Sequence, residues 1–405
     1  MQQQESSIAL LRQHWPVVVA AMSGWALDAF DFTLLLFLIP HLKDVFGVEL
    51  PAMALIVTAT GLAKMVGTIG WGAAADRVGR KLPFIVSVLW FSLFCGLSGL
   101  AWSYASFFVL RVVFGLGFGG EWSTSATLLM ETVPEKIKGL ASGIMMLGYE
   151  IGFLAAALAF RVVFPVLGWR WMLALGVLPA LLTIFLRIWV KESPVWEARK
   201  DRPATEKPKM QITPAVIQAW LFMAFLNFMS WAIFALYPTF LITVRHLDPS
   251  QVFPYVAAYS VASLIGKPLA GKVEEMIGER PMIALYLVLT IPSVLLYTLN
   301  DAAWAMAVGA VLMGLIPNSI FGIVPMYLAR RFPEEVRGTG VGIGWAMTSI
   351  SVLAPYVIAL VTPRLGLGMS MALFIVIGAV GALVTAALKT RPLVTSSSRE
   401  AVANP

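Results

Sequence analysis

The sequence contains few of the residues on which soluble, disulfide-bonded or metal-binding proteins depend. Only 13% of its 405 residues are charged, whereas a soluble globular domain carries about 25% charged residues. The single cysteine, Cys95, excludes an internal disulfide framework, and the three histidines show no metal-ligand spacing. These shortages argue against a secreted scaffold, a metal centre and an ordinary soluble domain.

Motifs for nucleotide binding and nucleophilic catalysis are also missing. The glycine-rich stretches GLGFGGEW (115–122) and GTGVGIGW (338–345) neither follow a strand nor open a βαβ unit, and no Walker lysine–serine pair exists. No G-x-S-x-G nucleophile elbow occurs. We therefore expect neither an ATP-driven pump nor an enzyme, and we interpret the glycines as sites of close helix packing.

Long apolar runs make up most of the remaining sequence. Hydrophobic residues account for 59% of the chain, and a membrane-spanning helix needs roughly 20 mostly apolar residues. The sequence therefore predicts an all-α membrane protein with twelve transmembrane helices. The predicted spans are 15–40, 51–75, 83–101, 106–131, 140–166, 171–190, 214–243, 250–272, 281–299, 302–329, 338–363 and 369–388.

Lysine and arginine predict how the chain lies in the membrane. With the N-terminus inside, 21 of these residues fall in segments on the cytoplasmic side and four on the other side. Positive charge gathers on the cytoplasmic side of membrane proteins, so we expect both termini in the cytoplasm. The net charge of +7 then reflects loops that face anionic lipid, and we expect no nucleic-acid partner.

The two halves of the chain read as copies of each other. After a shift of 199 residues, the loop 70–81 falls on 269–280 with Gly72, Asp76 and Gly79 on Gly271, Glu275 and Gly278, and 131–139 falls on 330–338. Duplicated six-helix halves are typical of secondary transporters. The predicted division is an N-terminal six-helix half at 1–190, a charged cytoplasmic linker at 191–213, a C-terminal six-helix half at 214–390 and a cytoplasmic tail at 391–405.

With these motifs the chain resembles the major facilitator superfamily over essentially its whole length. The most specific pieces are GWGAAADRVGRK (70–81), between spans two and three, and RVVFGLGFGGEW (111–122), which opens span four. The D-x-F-D of 28–31 and the GGEW of span four resemble the proton symporters of sialate, lactate, muconate and aromatic acids. The resemblance implies a major facilitator fold in two six-helix halves, a functional monomer and a place in the bacterial inner membrane.

The loop between spans two and three is a candidate conformational latch. Its cations anchor the cytoplasmic side, and Asp76 can pair with them or with a neighbouring helix N-terminus. Such a cluster would form in one arrangement of the halves and break in the other, whereas a basic loop that only fixes orientation is the alternative. The predicted gating residues are Gly72, Asp76, Arg77, Gly79, Arg80, Glu131, Lys138, Glu275 and Arg337.

Charged residues inside the predicted spans are the candidate proton-coupling groups. A charge near the bilayer centre costs at least ~2.5–3.5 kcal/mol, and such residues are functional by default. Asp28 and Asp31 share one face of span one, and Arg111 in span four lies at a matching depth. We expect Asp31, paired with Arg111, to carry the proton, with Asp28 as its assistant and Glu121 as a rival carrier. A purely structural ion network is the alternative.

Cations and polar groups of the spans are the candidate substrate ligands. Lys64 could neutralise an acid or bind the carboxylate of a substrate. Glu150 could serve transport, reach the interface or join the latch, and Lys267 is expected near the cytoplasmic end of span eight. The predicted substrate-binding residues are Arg111, Lys64, Asn227, Tyr255 and Asn318.

These features predict a secondary transporter that takes up a small organic anion with protons by alternating access. The cations Lys64 and Arg111 favour an anionic cargo such as a sialic acid, lactate, muconate or an aromatic carboxylate. Export of drugs or metabolites by proton antiport is the alternative. We expect protons as the coupling ion, no other cofactor, and no partner beyond the substrate and the lipid bilayer.

Overall fold

The computed structural model describes residues 7–197, 213–329 and 348–388, and this part of the chain is helical without a strand. Many large apolar side chains on the outside of the helix bundle are exposed, among them Leu93, Leu181 and Leu295. Exposed apolar surface of this extent is expected where lipid covers a protein. The fold class is therefore the predicted all-α membrane protein.

The N-terminal half contains six spans after a short leading helix. Its helices are α1 (Ser7–Gln13), α2 (Trp15–Phe46), α3 (Leu50–Val78), α4 (Lys81–Ser98), α5 (Tyr104–Thr132), α6 (Lys138–Val162), α7 (Phe164–Ala174), α8 (Ala180–Trp189) and α9 (Pro194–Glu197). The helix α2 is buried along most of its length and packs against α5 and α6. It therefore forms the centre of this half.

The C-terminal half repeats this arrangement in the described residues. Its helices are α10 (Pro214–Phe234), α11 (Tyr237–Thr243), α12 (Pro249–Ile277), α13 (Glu279–Thr298), α14 (Ala303–Leu315), α15 (Val324–Ala329), α16 (Ala354–Leu365) and α17 (Leu367–Ala387). Two 3₁₀ turns, Asn318–Gly322 and Thr348–Leu353, precede α15 and α16. The predicted tail at 391–405 and most of the predicted linker lie outside the described residues.

Most of the predicted spans coincide with observed helices. Within the described residues, ten helical segments are long and apolar enough to cross a membrane. The kink at Gly168, where φ is 75°, falls between the predicted fifth and sixth spans, whereas the 3₁₀ turn at Leu175–Val177 interrupts the predicted sixth span and separates α7 from α8. The eighth span, α12, is long enough but carries several charged residues near its end, and residues 338–347 of the eleventh lie outside the described ranges.

Side-chain caps explain where several helices begin. Ser103 and Ser106 form a reciprocal capping box at the start of α5, and the Thr213 hydroxyl accepts the Val216 N–H at the start of α10. These hydroxyls satisfy backbone N–H groups that have no partner within the first helical turn. Span four and span seven therefore start at fixed residues.

The two halves make the same close helix contacts at the predicted offset. Gly67 of α3 lies against the carbonyl of Leu116 in α5, and Gly266 of α12 lies against the carbonyl of Leu315 in α14. A Cβ atom at Gly67 would collide with the Leu116 oxygen, and one at Gly266 would collide with the Ser319 hydroxyl and come too close to the Leu315 oxygen. Glycine therefore lets the helices approach closely at equivalent places in both halves.

The glycines that end α3 and α12 also correspond. Gly79 has φ 100° and Gly278 has φ 91°, a region that glycine adopts without steric cost. Both end the helix that precedes a charged loop, and they are 199 residues apart. The duplication predicted from the loop motifs is thus visible in the backbone.

The halves meet along α6 and α12 and at one end of the bundle. The Thr58 hydroxyl near the start of α3 donates to the Val352 carbonyl at 2.8 Å. At the end of α6, the Arg161 guanidinium lies 5.4 Å from the centre of the Phe253 ring of α12. These contacts lie on the side where α2 ends and α3 begins.

Candidate transport site

A cavity of about 130 Å³ lies between the two halves. Many of its wall residues are aromatic and a smaller number are charged or polar, as is usual for ligand sites. The N-terminal half contributes Trp25, Lys64, Phe118, Tyr149, Glu150 and Phe153, among others. The C-terminal half contributes Asn227, Trp231, Phe234, Tyr259, Lys267 and Asn318, among others.

Lys64 on the cavity wall is paired with Asp28 behind it. Its Nζ lies 3.3 Å from Oδ2 of Asp28, a carboxylate that is 1% exposed. The same ammonium lies 3.7 Å from the centre of the Phe118 ring and 5.2 Å from that of Trp25. Lys64 therefore neutralises an acid, which is the first of the two roles that the sequence left open, and it also faces the cavity.

Glu121 lies behind the same wall, against α2. It is fully buried, and a Cβ atom on Gly24 would collide with its carboxylate. Neither of its carboxylate oxygens has a hydrogen-bond partner within the described ranges. Glycine at position 24 thus makes room for an acid next to the helix that carries the two aspartates.

Asp31 and Arg111 are both fully buried within the N-terminal half. Neither oxygen of Asp31 has a hydrogen-bond partner among the described residues. The Arg111 Nη1 donates weakly to the Cys95 sulfur at 3.8 Å, and its guanidinium lies 4.0 Å from the centre of the Phe114 ring. The expected direct ion pair is therefore not formed, although the two groups are close enough to interact electrostatically.

This placement also separates Arg111 from the cavity. Neither Arg111 nor Asp31 belongs to the cavity wall, and Gly176 approaches Asp31 from the sixth span instead. The sequence predicted Arg111 as a substrate ligand, whereas in this arrangement its guanidinium points into the protein interior beside a thiol and a ring. The prediction for Arg111 rested on the depth of this residue along span four. Depth does not determine the direction in which a side chain points from its helix.

A second lysine–carboxylate pair joins the two halves across the cavity. Lys267 Nζ of α12 lies 2.9 Å from Oε1 of Glu150 in α6. The Asn318 amide donates to the same oxygen at 2.8 Å and to the Ser263 hydroxyl at 2.6 Å. Lys267 is 9% exposed and Glu150 is 2% exposed, so this cluster lies inside the protein and not at the cytoplasmic end of span eight.

The remaining predicted ligands divide into two groups. Asn227 and Asn318 line the cavity, and the Asn227 amide donates to the Met223 carbonyl at 3.2 Å. Tyr255 is half-buried and lies outside the cavity wall, whereas Tyr259, one helical turn further along α12, is part of the wall. The two tyrosines share one face of α12 and differ mainly in their depth along the helix.

The predicted latch is partly assembled in the N-terminal half. Arg80 Nη2 lies 3.2 Å from Oε1 of Glu131 at the end of α5, and the Ser193 hydroxyl donates to the other oxygen of Glu131. The Glu192 carboxylate accepts the backbone N–H groups of Arg80 and Lys81 at the start of α4. The segment after span six thus ties the ends of α3, α4 and α5 together.

Other predicted gating residues take different positions. Gly72 has open space around it, Arg77 and Glu275 are exposed, and Lys138 is half-buried at the start of α6. Gly79 provides the left-handed turn between α3 and Arg80. The side chain of Asp76 and the whole of Arg337 lie outside the described part of the structure.

The sequence profile of the Major Facilitator Superfamily matches residues 21–258 and, overlapping them, 221–404. The chain belongs to the Major Facilitator Superfamily. This confirms the family predicted from the loop motifs and the expectation of a membrane transporter rather than an enzyme. The twelve-helix fold in two halves is the fold of that superfamily, and the protein is a multi-pass membrane protein.

Individual relatives agree with this assignment. The chain is 29% identical to the probable 4-methylmuconolactone transporter of Cupriavidus pinatubonensis, covering 88% of this chain and 85% of that protein. It is 27% identical to the sialic acid transporter NanX of Escherichia coli, covering 90% and 91% respectively. The inward-open structure of the xylose transporter XylE from E. coli superposes with a TM-score of 0.76 at 17% identity, covering 96% of this chain and 99% of that one.

The sequence missed the cavity position of Lys267 and its contact with Glu150. Lys267 was expected near the cytoplasmic end of span eight. The 199-residue shift places Lys267 on Thr68, but this correspondence becomes a signal only once the structure shows that Thr68 lines the cavity. The direction of the Glu150 side chain towards the other half had no such signal.

Proposed function

We propose that this transporter carries a small organic anion into the cell together with protons, by alternating access of its two halves. The observation that carries the proposal is the pairing of each cavity lysine with a buried carboxylate, Lys64 with Asp28 and Lys267 with Glu150. An ammonium group at the wall of a cavity attracts an anion, and an acid beside it can hold a proton in exchange. The sialic acid relative supports an anionic cargo.

The pair formed by Lys64 and Asp28 provides a simple coupling step. When Asp28 takes up a proton, the charge on Lys64 is no longer compensated and the cavity becomes more positive, which favours entry of an anion. When the anion and the proton leave on the other side, the ion pair forms again. One monoanion then moves with one proton, and no net charge crosses the membrane.

The other buried acids extend this step. Asp31 and Glu121 have no hydrogen-bond partner within the described residues, so each can gain or lose a proton without breaking a hydrogen bond. Asp28, Asp31 and Glu121 are therefore the proposed proton-coupling residues. Arg111 acts on Asp31 as a nearby buried cation in this scheme and not as a substrate ligand.

The proposal also includes the orientation of the chain in the membrane. With both termini in the cytoplasm, the contacts of Thr58 with Val352 and of Arg161 with Phe253 lie on the periplasmic side. The structure then corresponds to a carrier that is closed to the periplasm, as an inward-facing transporter would be. The cluster of Arg80, Glu131 and Ser193 lies on the cytoplasmic side, where it holds the N-terminal half together during rocking.

Uptake into proteoliposomes tests this function. Purified protein would be reconstituted, and radiolabelled sialic acid, cis,cis-muconate, lactate, benzoate and 4-hydroxybenzoate supplied outside at acidic pH with neutral pH inside. We expect at least one of these anions to accumulate and the accumulation to collapse when a protonophore is added. Uptake of these anions that ignores the pH difference would contradict proton symport, and accumulation only under the reversed gradient would favour antiport.

A further inference from the structure

In the cluster of Lys267, Asn318 and Glu150, both Lys267 and Asn318 donate to Glu150. Proton coupling alone does not require the second donor. We propose that Lys267 and Asn318 form the subsite for the substrate's carboxylate, and that Glu150 occupies this subsite while the transporter is empty. The inference rests on the proposed function in one respect, namely that the cargo is an organic anion. The inference assigns the side chains that bind the anion, and it states that the Glu150 carboxylate must leave them when the anion binds.

The two donors converge on a single carboxylate oxygen. Lys267 Nζ and Asn318 Nδ2 lie 2.9 Å and 2.8 Å from Oε1 of Glu150. The second hydrogen of the Asn318 amide is used on Ser263 at 2.6 Å, which fixes the direction of the first. An ammonium and an oriented amide that already hold one carboxylate oxygen can hold that of a ligand in the same geometry.

Glu150 is held by only one of its two oxygens. Its Oε2 is buried and has no hydrogen-bond partner in the described ranges. A buried carboxylate oxygen without a partner carries a desolvation penalty, so Glu150 fits its position less well than a carboxylate that satisfied both oxygens. A ligand in the cavity can therefore compete for the same two donors.

Lys64 is less suited to this role than Lys267. Its ammonium is held by Asp28 of the same half and lies directly over the Phe118 ring, at 3.7 Å from the ring centre. Moving the halves apart does not disturb that pair. Lys267, in contrast, is paired across the two halves, so its partner changes whenever the halves separate or a ligand intervenes.

The wall next to the subsite indicates which anions it accepts. Tyr149 and Phe153 flank Glu150 in sequence, and Phe153 meets Tyr259 edge to face with ring centres 6.1 Å apart. Aromatic walls favour a flat, unsaturated or cyclic body on which rings can pack. The subsite therefore fits a carboxylate attached to a ring or a conjugated chain better than a short aliphatic acid.

Displacement of Glu150 would also couple binding to movement. Glu150 belongs to α6 of the N-terminal half, whereas Lys267 and Asn318 belong to the C-terminal half. A ligand carboxylate that takes over the two donors breaks a direct bridge between the halves and replaces it with a bridge through the substrate. The empty carrier is then held by its own carboxylate and the loaded carrier by its cargo.

Binding to the full-length protein in detergent tests this inference without depending on transport. Benzoate, cis,cis-muconate and sialic acid would be titrated in a thermal-shift assay, with benzamide as the neutral counterpart of benzoate. Glu150→Gln removes the internal competitor, so we expect a carboxylate Kd at least fivefold lower than in the wild type. Lys267→Gln should raise that Kd at least tenfold, and benzamide should respond to neither change.

Two further variants keep the result interpretable. Glu150→Gln/Lys267→Gln leaves no unpaired buried charge, so it should fold like the wild type and still fail to bind carboxylates. Lys272→Gln removes an exposed lysine five residues further along α12 and should leave the Kd unchanged. The same loss of positive charge is thus compared at two places on one helix.

Several outcomes would overturn the subsite. They are an unchanged or weaker affinity in Glu150→Gln, tight carboxylate binding by the double variant, and the absence of a carboxylate response in both the wild type and Glu150→Gln. The proposed function would fail separately, if wild-type proteoliposomes accumulated none of the anions. Gradient-driven uptake with wild-type affinity in the double variant would leave that function standing and exclude Lys267 as the ligand.

Discussion

Lys64 and Asp28 form an ion pair within one half of the protein, with Nζ and Oδ2 3.3 Å apart. The other cavity lysine, Lys267, reaches across to Glu150 in the opposite half. The two lysine–carboxylate pairs would therefore respond differently to a movement of the halves. In the proposed cycle the internal pair stays within one half and is broken only when Asp28 takes up a proton, whereas the bridging pair is remade as the halves move.

We expect removal of Lys64 and removal of Asp28 to lower the free energy of unfolding by different amounts. Breaking a buried ion pair by removing one partner costs about 3–5 kcal/mol, because the other charge stays buried and unpaired. Lys64 keeps 21% of its side chain exposed while Asp28 keeps 1%, so Lys64→Gln should destabilise more than Asp28→Asn. Chemical denaturation in detergent measures both, with the double variant as the control. If the two single variants lost equal stability and the double variant lost the sum of both, a direct interaction between Lys64 and Asp28 would be contradicted.

Neutralisation of Asp31 should separate proton coupling from substrate movement. Asp31→Asn keeps the size of the side chain and breaks no hydrogen bond, because neither Asp31 oxygen has a partner among the described residues. We expect loss of pH-driven accumulation in proteoliposomes, with exchange of labelled for unlabelled substrate retained. Asp44→Asn, at an exposed position near the end of the same helix, is the matched control. Equal loss of accumulation and exchange would assign Asp31 a structural role.

The repeated glycine contacts should be equally intolerant of a methyl group in both halves. Gly67→Ala and Gly266→Ala place a Cβ against the carbonyls of Leu116 and Leu315, and overpacking of this kind typically costs about 1–3 kcal/mol. A lower melting temperature in detergent is the expected result for each. Gly70→Ala and Gly271→Ala, where no atom lies within 4 Å of the added Cβ, should not lower it. A similar loss at all four positions would contradict the packing argument.

The pair formed by Arg80 and Glu131 should be recoverable by exchanging its charges. Arg80 is bound to Glu131 at 3.2 Å, and the Ser193 hydroxyl shares the same carboxylate. Arg80→Glu should therefore slow initial uptake several-fold by like-charge repulsion, and Arg80→Glu/Glu131→Arg should recover part of the rate. Initial rates in proteoliposomes, normalised to the amount of folded protein, provide the measurement. A double variant as slow as the single one would mean that the loop acts through something other than this pair.

The helices themselves could be predicted closely because their signals are local. A run of about 20 apolar residues is sufficient to define a span, and the 199-residue offset identified two halves whose helix contacts do repeat. The sixth span was the exception. The 3₁₀ turn at Leu175–Val177 interrupts it, and glycines such as Gly176 are too common in membrane helices to mark a break by themselves.

The site could be predicted only as a set of residues. The intramembrane acids of the N-terminal half and Arg111 are buried as expected, yet Asp31 and Arg111 form no hydrogen bond with each other and Arg111 does not line the cavity. Each difference depends on how far a helix is rotated about its own axis. Rotation is set by packing against neighbouring helices, and a single sequence does not record it.

The sequence by itself determined that this protein spans a membrane in two duplicated halves and that it keeps charges where lipid should exclude them. It did so because hydrophobic length, loop charge and internal repetition are properties of the chain taken one segment at a time. The tertiary structure alone decided which charges meet, joining Lys64 to Asp28 within one half and Lys267 to Glu150 between the two. Those partners are more than thirty residues apart in each case, and only the packing of separate helices brings them together.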